Sequence, residues 1–363
     1  MGLRKSLHER MFGQRFRESH DGGATVLSPP QAGGLPDAAA RATAAGPGDA
    51  VRYLAIVAAT IVVTSSAYVA ALDLLELGKM RPPPALSNSL CLDAKLEYLR
   101  DNPPVVPTHL IIGSSISWRN IDAAAIVRAN GEARPLNGGF CGLRMNQTAF
   151  VTRFLLERYP SISDLLLLLD PLDMSACHVV KSEVFDPQDA AAYLSGAAEL
   201  KYYFRYFDPY SLLGNAIHLK ERKADLIPAD PLVFTQYGDG PLGVAPWQGI
   251  QYGRSEALDP KCQRALADLA KDVSASGRKL LVVTMPVLPE WSKQFDPRGS
   301  VRHQLADAIH LAVQGTSAGF WDAWTTESLP LDGYVDAYHL RWNAARRFTE
   351  RLIGATGFGM RDH

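Results

Sequence analysis

Five consecutive leucines between two aspartates, "DLLLLLD" at Asp164–Asp170, constrain the fold of this chain more than any other stretch. The run is too short to cross a bilayer and too uniformly apolar for a strand with one face in water. A strand buried on both faces accounts for it, and such strands belong to parallel sheets covered by helices on each side. "HLIIG" at His109–Gly113 and "KLLVVTMP" at Lys279–Pro286 read the same way, with shorter strands expected in "ARPLN" at Ala133–Asn137 and "AGFWDAW" at Ala318–Trp324. Helices are expected between them. One lies near Ile121–Arg128, and another over Asn146–Tyr159, where Phe150, Phe154 and Leu155 recur at helical spacing. Others cover Lys261–Ser276 and Val301–Val313, and an amphipathic helix over Trp342–Gly354 stops at glycine. This alternation predicts an α/β fold, a three-layer sandwich with a mostly parallel central sheet. Pro187–Gln251, rich in Tyr, Phe and Pro and helical near Ala190–Phe207, breaks the rhythm and reads as an insertion or lid.

The N-terminal part follows other rules. Met1–Ala50 is rich in Gly, Ala, Pro and charge, too poor in large apolar residues to offset its ordering entropy, and reads as disordered. "YLAIVAATIVVTSSAYVAAL", Tyr53–Leu72, then runs without a charge. At ~1.5 Å per residue it matches a hydrocarbon core of ~30 Å. A buried alanine-rich helix is the rival reading; a cleaved signal peptide fits poorly, because the run is too long and begins too late. Lys and Arg flank the span evenly (Arg41 and Arg52 before it, Lys79 and Arg81 after it), but Arg4, Lys5, Arg10, Arg15 and Arg17 tilt the tail toward the cytoplasm. The expected organisation is a cytoplasmic tail over 1–50, a transmembrane helix over 51–75, a linker and leading helix over 76–106, and an α/β domain over 107–358 interrupted at about 187–251. "RPPPAL" at Arg81–Leu86 is the stiff exit. The expected setting is a bacterial inner membrane with the C-terminal domain in the periplasm. Cys91, Cys141, Cys177 and Cys262 would then meet an oxidising compartment, where disulfides and buried thiols are both open readings.

Net charge is -1 over 363 residues. With no basic patch interleaved with aromatics, no zinc-type cysteine pairing and no GxxxxGK[ST] loop, nothing points to nucleic acid, metal or nucleotide cofactor. His109, His178, His218, His303 and His310 show no ligand spacing with carboxylates. In an open parallel sheet, ligands gather at the carboxyl ends of the strands. Three segments there carry chemistry: Gly113-Ser114-Ser115 after the first strand, "NGGFCG" at Asn137–Gly142 after the second, and Asp336-Ala337-Tyr338-His339 before the last helix.

These segments resemble the blocks of the SGNH (GDSL-like) hydrolase superfamily, which run strand-Gly-Asp-Ser, a glycine, an asparagine and finally Asp-x-x-His. Gly-Ser-Ser with an N-terminal membrane helix is similar to the anchored proteins of teichoic acid D-alanyl transfer and alginate O-acetylation. The resemblance covers about Thr108–Gly354 through short motifs. It implies Ser115 as nucleophile, His339 as base, Asp336 as its partner, and an oxyanion hole from the amides of Ser115 and Gly138, with Gly139 close behind. A slip of one residue would give the nucleophile's role to Ser114. The chemistry needs these types: a serine hydroxyl is a poor nucleophile until a base takes its proton, and a carboxylate orients that base. Where the family carries its asparagine, this chain has Asp170-Pro171-Leu172-Asp173, and a carboxylate repels an oxyanion. Asn137 or Asn146 could substitute, or two donors could suffice.

Plainer readings stand beside each assignment. Ser114 and Ser115 could cap a helix, Gly138-Gly139 could be a turn, and His339 could be a core histidine. Phe320, Trp321 and Trp324 read as core rather than a sugar platform; Trp118 and Arg119 could touch substrate or merely begin a helix. The expected function is a membrane-anchored serine esterase or O-acyltransferase acting on acyl, foremost acetyl, groups of an envelope or secreted polysaccharide, without a cofactor. Its partners would be the acylated sugar, the membrane and envelope biosynthesis proteins. The alternative is a non-catalytic single-span scaffold of a polysaccharide synthesis or export machine on a degenerate hydrolase fold.

Overall fold

The computed structural model describes residues 47–87, 89–223, 231–243, 247–250, 252–254 and 257–360. The tail expected over 1–50 lies outside them up to residue 46, as does Gln251 at the end of the expected insertion. The chain divides into two compact units, Met1–Ser66 and Ala67–His363. Helix α1 (Pro47–Leu77) provides the described part of the first, and its last turns begin the second. Over Gly48–Leu77 it is long and apolar enough to cross a membrane, and its most apolar 18-residue stretch has a mean hydropathy of 2.0 with no residue buried. Thr60 and Thr64 hydroxyls donate to carbonyls of the preceding turn, those of Ile56 and Thr60, so neither is left unsatisfied in an apolar solvent.

After the Pro-rich exit comes α2 (Leu90–Asp101), then β1 (His109–Ile112), α3 (Ser115–Asn120), α4 (Ala123–Ala129), β2 (Pro135–Asn137), α5 (Met145–Arg158) and β3 (Asp164–Leu169). Next are α6 (Pro187–Leu194), α7 (Glu199–Arg205) and α8 (Pro209–Lys223). The chain closes with α9 (Pro260–Ala275), β4 (Lys279–Thr284), α10 (Pro289–Phe295), α11 (Ser300–Val313), β5 (Gly319–Trp321), α12 (Ala323–Thr326) and α13 (Trp342–Thr356). The strands form one sheet in the order β2-β1-β3-β4-β5, and every pairing is parallel. Helices α3, α4 and α13 pack together in one outer layer and α5, α9 and α11 in the other. Leu165–Leu169 are wholly buried between them, which explains the uninterrupted leucine run. Each such side chain contributes about 1.5–3 kcal/mol relative to exposure.

The chain steps outward from β1 to β2 and then returns across β1 to β3, so the strand order reverses beside β1. The sheet therefore opens a crevice beyond the carboxyl end of β1, where open α/β sheets bind ligands. The expected insertion is not a loose lid throughout. Its segment 231–243 crosses the end of β2 as a strap. The amide of Asn137 donates to the Tyr237 carbonyl at 2.8 Å and that of Gly240 to the Trp118 carbonyl at 2.8 Å. The buried Lys95 ammonium and the Tyr98 hydroxyl hold the strap from α2, donating to the carbonyls of Gly238 and Thr235 at 2.6 and 2.7 Å. Two disulfides brace the unit: Cys91–Cys141 ties α2 to the loop after β2, and Cys177–Cys262 ties the loop after β3 to α9.

Candidate active site

Strand β1 ends in a residue that only glycine suits. Gly113 has φ +136°, and a Cβ there would sit 2.1 Å from the Ser117 hydroxyl and 2.8 Å from the Leu168 carbonyl. The sharp turn it permits places Ser114 as N-cap of α3 and Ser115 as its first residue. The Ser115 hydroxyl lies 2.9 Å from Nε2 of His339. The other ring nitrogen, Nδ1, lies 2.8 Å from Asp336 Oδ2, while Asp336 Oδ1 accepts the amides of Tyr338 and His339 at 2.8 and 2.9 Å. A carboxylate can only accept, so the ring proton sits on Nδ1 and Nε2 accepts from the serine. Burial pushes the Asp336 carboxyl up, but the histidine and those amides outweigh it and hold it below the usual range. Ser115, His339 and Asp336 are thus one hydrogen-bonded relay across 224 residues of chain. Ser114 instead bonds to the Asp173 carboxyl.

A residue the sequence reading passed over holds the relay in place. Asn120, wholly buried at the end of α3, donates from Nδ2 to the Tyr338 carbonyl at 2.8 Å. Its Oδ1 accepts the Leu340 amide at 2.9 Å. Its two arms therefore clamp the backbone on either side of His339 to the helix that begins with Ser115. No local pattern announces a lone asparagine bonding a loop some 220 residues away.

The relay opens into a cavity of about 510 Å³, within the range of small-molecule sites. Its wall includes Arg119, Gly142, Arg144, Asp170, Asp173 and Tyr252. The oxyanion donors expected after β2 require correction. The Gly138 amide donates to the Ile111 carbonyl at 2.8 Å, and the Gly139 amide to the Asn137 side chain at 3.0 Å. The Asn137 carboxamide is spent on the Ser117 carbonyl at 3.0 Å and the Asp239 carboxylate at 2.9 Å. None of the three lines the cavity. Asn146 bonds to Val180 and Ser182 in a different groove. The glycine that does reach the cavity is Gly142, with φ +65°, and its amide makes no hydrogen bond among the described residues. Ser115's own amide is likewise unbonded among them.

Two carboxyls stand in the loop after β3 and reach the cavity. Asp170 and Asp173, both buried, cross-bond: the Asp170 amide donates to Asp173 Oδ2 at 3.2 Å and the Asp173 amide to Asp170 Oδ1 at 2.9 Å. Burial pushes Asp170 up to about 6. Burial, together with the charge of Asp170, pushes Asp173 well above the carboxylate range. The pair therefore retains a proton under conditions that ionise ordinary carboxylates, and a protonated carboxyl can donate where an asparagine amide would.

Trp118, Trp321 and Trp324 pack into the fold, and Arg119 both packs and faces the cavity. Trp321 stacks on Phe348 and Trp324 packs against Trp291. Trp118 is buried against Phe234. Arg119 reaches the cavity wall, with its guanidinium over Trp118 and donating to the carbonyls of Gly240 and Pro231. Among the described residues no cluster of three or more His, Cys, Asp or Glu could hold a metal.

No family model matches the chain, and no curated protein matches it in sequence. Among solved structures it is similar to a carbohydrate acetylesterase family member from Sinorhizobium meliloti, at 13% identity over 69% of this chain and 97% of that one, with a TM-score of 0.33. It is also similar to an inhibitor-bound aryl esterase of M. smegmatis, at 13% identity over 69% and 98% of the respective chains, with a TM-score of 0.34. Likeness this distant assigns no activity, and the reading below rests on the side chains of this chain.

Proposed function

We propose that the chain is a membrane-anchored serine esterase or O-acyltransferase that acts on acyl, foremost acetyl, groups of an envelope or secreted polysaccharide. The observation that carries this is the 2.9 Å contact between the Ser115 hydroxyl and His339 Nε2, with Asp336 bound to the far ring nitrogen. Ser115 Oγ forms a bond to the ester carbonyl carbon as its proton passes to His339. Asp336 stabilises the imidazolium. The negative oxygen of the tetrahedral adduct is met by the amides of Ser115 and Gly142. Collapse breaks the bond to the leaving sugar oxygen, which takes the proton back from His339, and leaves an acyl-serine. Water or a second sugar hydroxyl then repeats the sequence in reverse. An oxyanion donor elsewhere is worth ~2.7–4 kcal/mol, so two amides supply a large part of the rate.

Two further features support the setting. Helix α1 has the length and hydropathy of a membrane span. All four cysteines are paired, as suits an oxidising compartment such as the periplasm. The substitution of Asp170 and Asp173 for the family's asparagine favours the alternative, a binding subunit on a hydrolase fold. A fluorophosphonate separates the two. The enzyme reading expects covalent labelling of the wild type, lost in Ser115→Ala and reduced by at least two orders of magnitude in His339→Ala. An unlabelled wild type would leave only the binding subunit.

A further inference from the structure

One surface of the second unit is unlike the rest. Leu200 and Phe204 on α7, Phe207 on the turn, and Tyr210, Leu213 and Ile217 on α8 are all exposed. Tyr210 (89% exposed), Leu213 (60%) and Ile217 (51%) recur at positions i, i+3 and i+7, so α8 turns one apolar face outward. Isolated exposed apolar residues are ordinary, but a run of six large ones along two successive helices is not.

Its position tells what covers it. Tyr68, on the last turns of α1 and in the same unit, packs edge-on against Phe204 and Phe207, with ring centroids 5.5 and 4.9 Å apart. Its hydroxyl donates to the Tyr203 carbonyl at 3.3 Å. Tyr68 lies four residues before the end of the uncharged run Tyr53–Leu72, about 6 Å along a helix at ~1.5 Å per residue. Rings that touch Tyr68 therefore sit at the depth where hydrocarbon gives way to headgroups. Tyrosine and phenylalanine at that depth, with the exposed Lys201 beside them, match the amphipathic belt of a membrane boundary.

We propose that α7 and α8 form a foot that lies in the phospholipid interface, the apolar side chains of Phe204, Phe207, Tyr210, Leu213 and Ile217 inserted at the level of Tyr68. This rests on α1 being a membrane span and is independent of the acyl chemistry. The foot gives the second unit a second point of attachment and holds it down on the bilayer.

The test uses the full chain reconstituted in phosphatidylethanolamine–phosphatidylglycerol vesicles. Its native cysteines are all in disulfides, so single cysteines can be added and labelled with bimane. The positions are Phe207→Cys, Leu213→Cys, Val62→Cys within the span and Leu311→Cys, exposed on α11; Tyr210→Cys replaces any foot variant that melts below the parent. Lipids with a shallow doxyl group should quench the labels at 207 and 213 several-fold more than the label at 311, and deep doxyl lipids should quench 62. Quenching at 62 with 207 and 213 no different from 311 overturns the foot. In that case, cross-links between chains through 207 or 213 would identify a second copy as the occupant. Absence of quenching at 62 overturns the span itself, and the foot with it.

Discussion

At the scale of single residues, the relay depends as much on Asn120 as on the three groups that would do the chemistry. Replacing it by Ala unclamps the backbone on both sides of His339, so the imidazole is kept but no longer held in position. Misplacement of a catalytic group by ~1 Å can cost about 10²-fold. Asn120→Ala is expected to lower kcat by about that factor with KM little changed, and to slow fluorophosphonate labelling in proportion, below the temperature at which the variant melts. Asp173 makes a different prediction. Its folded-state affinity for a proton is raised, so between the ordinary carboxylate range and the raised value the folded chain binds more protons than the unfolded one. Stability therefore falls as pH rises through that window, and the cost of the ionised pair is complete above it. Asp173→Asn removes one of the two buried charges, and urea midpoints at pH 5 and pH 8 should show a gain in stability that is larger at pH 8. The Ser–Ser and Asp-x-x-His segments were legible because each clusters its chemistry within four residues. Gly142 was not: a backbone amide carries no residue type, and only the turn shows that this glycine, rather than Gly138, faces the cavity.

At the scale of elements, the parallel strands could be read because burial on both faces leaves a leucine run with no other explanation. The irregular strap 231–243 could not. Its hold comes from carbonyls answered by Lys95, Tyr98 and Arg119, none of them near it in sequence. Asp239 anchors its centre, accepting from the Asn137 carboxamide at 2.9 Å, the Thr235 hydroxyl at 3.0 Å and the Ala123 amide at 3.2 Å. Burial pushes the Lys95 ammonium down to about 7, against the charge of Asp239, which holds it up. Removing Asp239 takes the acceptor from these three donors, and an unpaired buried polar group costs about 1–3 kcal/mol. Asp239→Ala should lower the urea-unfolding free energy by about that much. Limited proteolysis should cut the variant first within 231–243, and a cut elsewhere would place the weakness outside the strap.

At the scale of the whole molecule, α1 is a helix long and apolar enough to cross a membrane, and the disulfides close the long loops of the second unit. The bridged cysteines are 50 and 85 residues apart, and in chain-entropy terms each bridge is worth about 4 kcal/mol. Reduction should therefore shift the melting temperature strongly downward. Cys177→Ser with Cys262→Ser should cost stability without altering the relay; the other pair should also slow fluorophosphonate labelling, because Cys141 precedes the cavity glycine. The pairing was hidden in the sequence because the four cysteines have no repeating spacing, and proximity arises only once α2 lies beside the end of β2.

That bond between Cys91 and Cys141 also sets a moment in the life of the chain. On the orientation proposed, synthesis takes place where thiols stay reduced, and the tether can close only after export. A newly made molecule would leave the cytosol with the loop after β2 unbraced, and the brace would form only on the oxidising side.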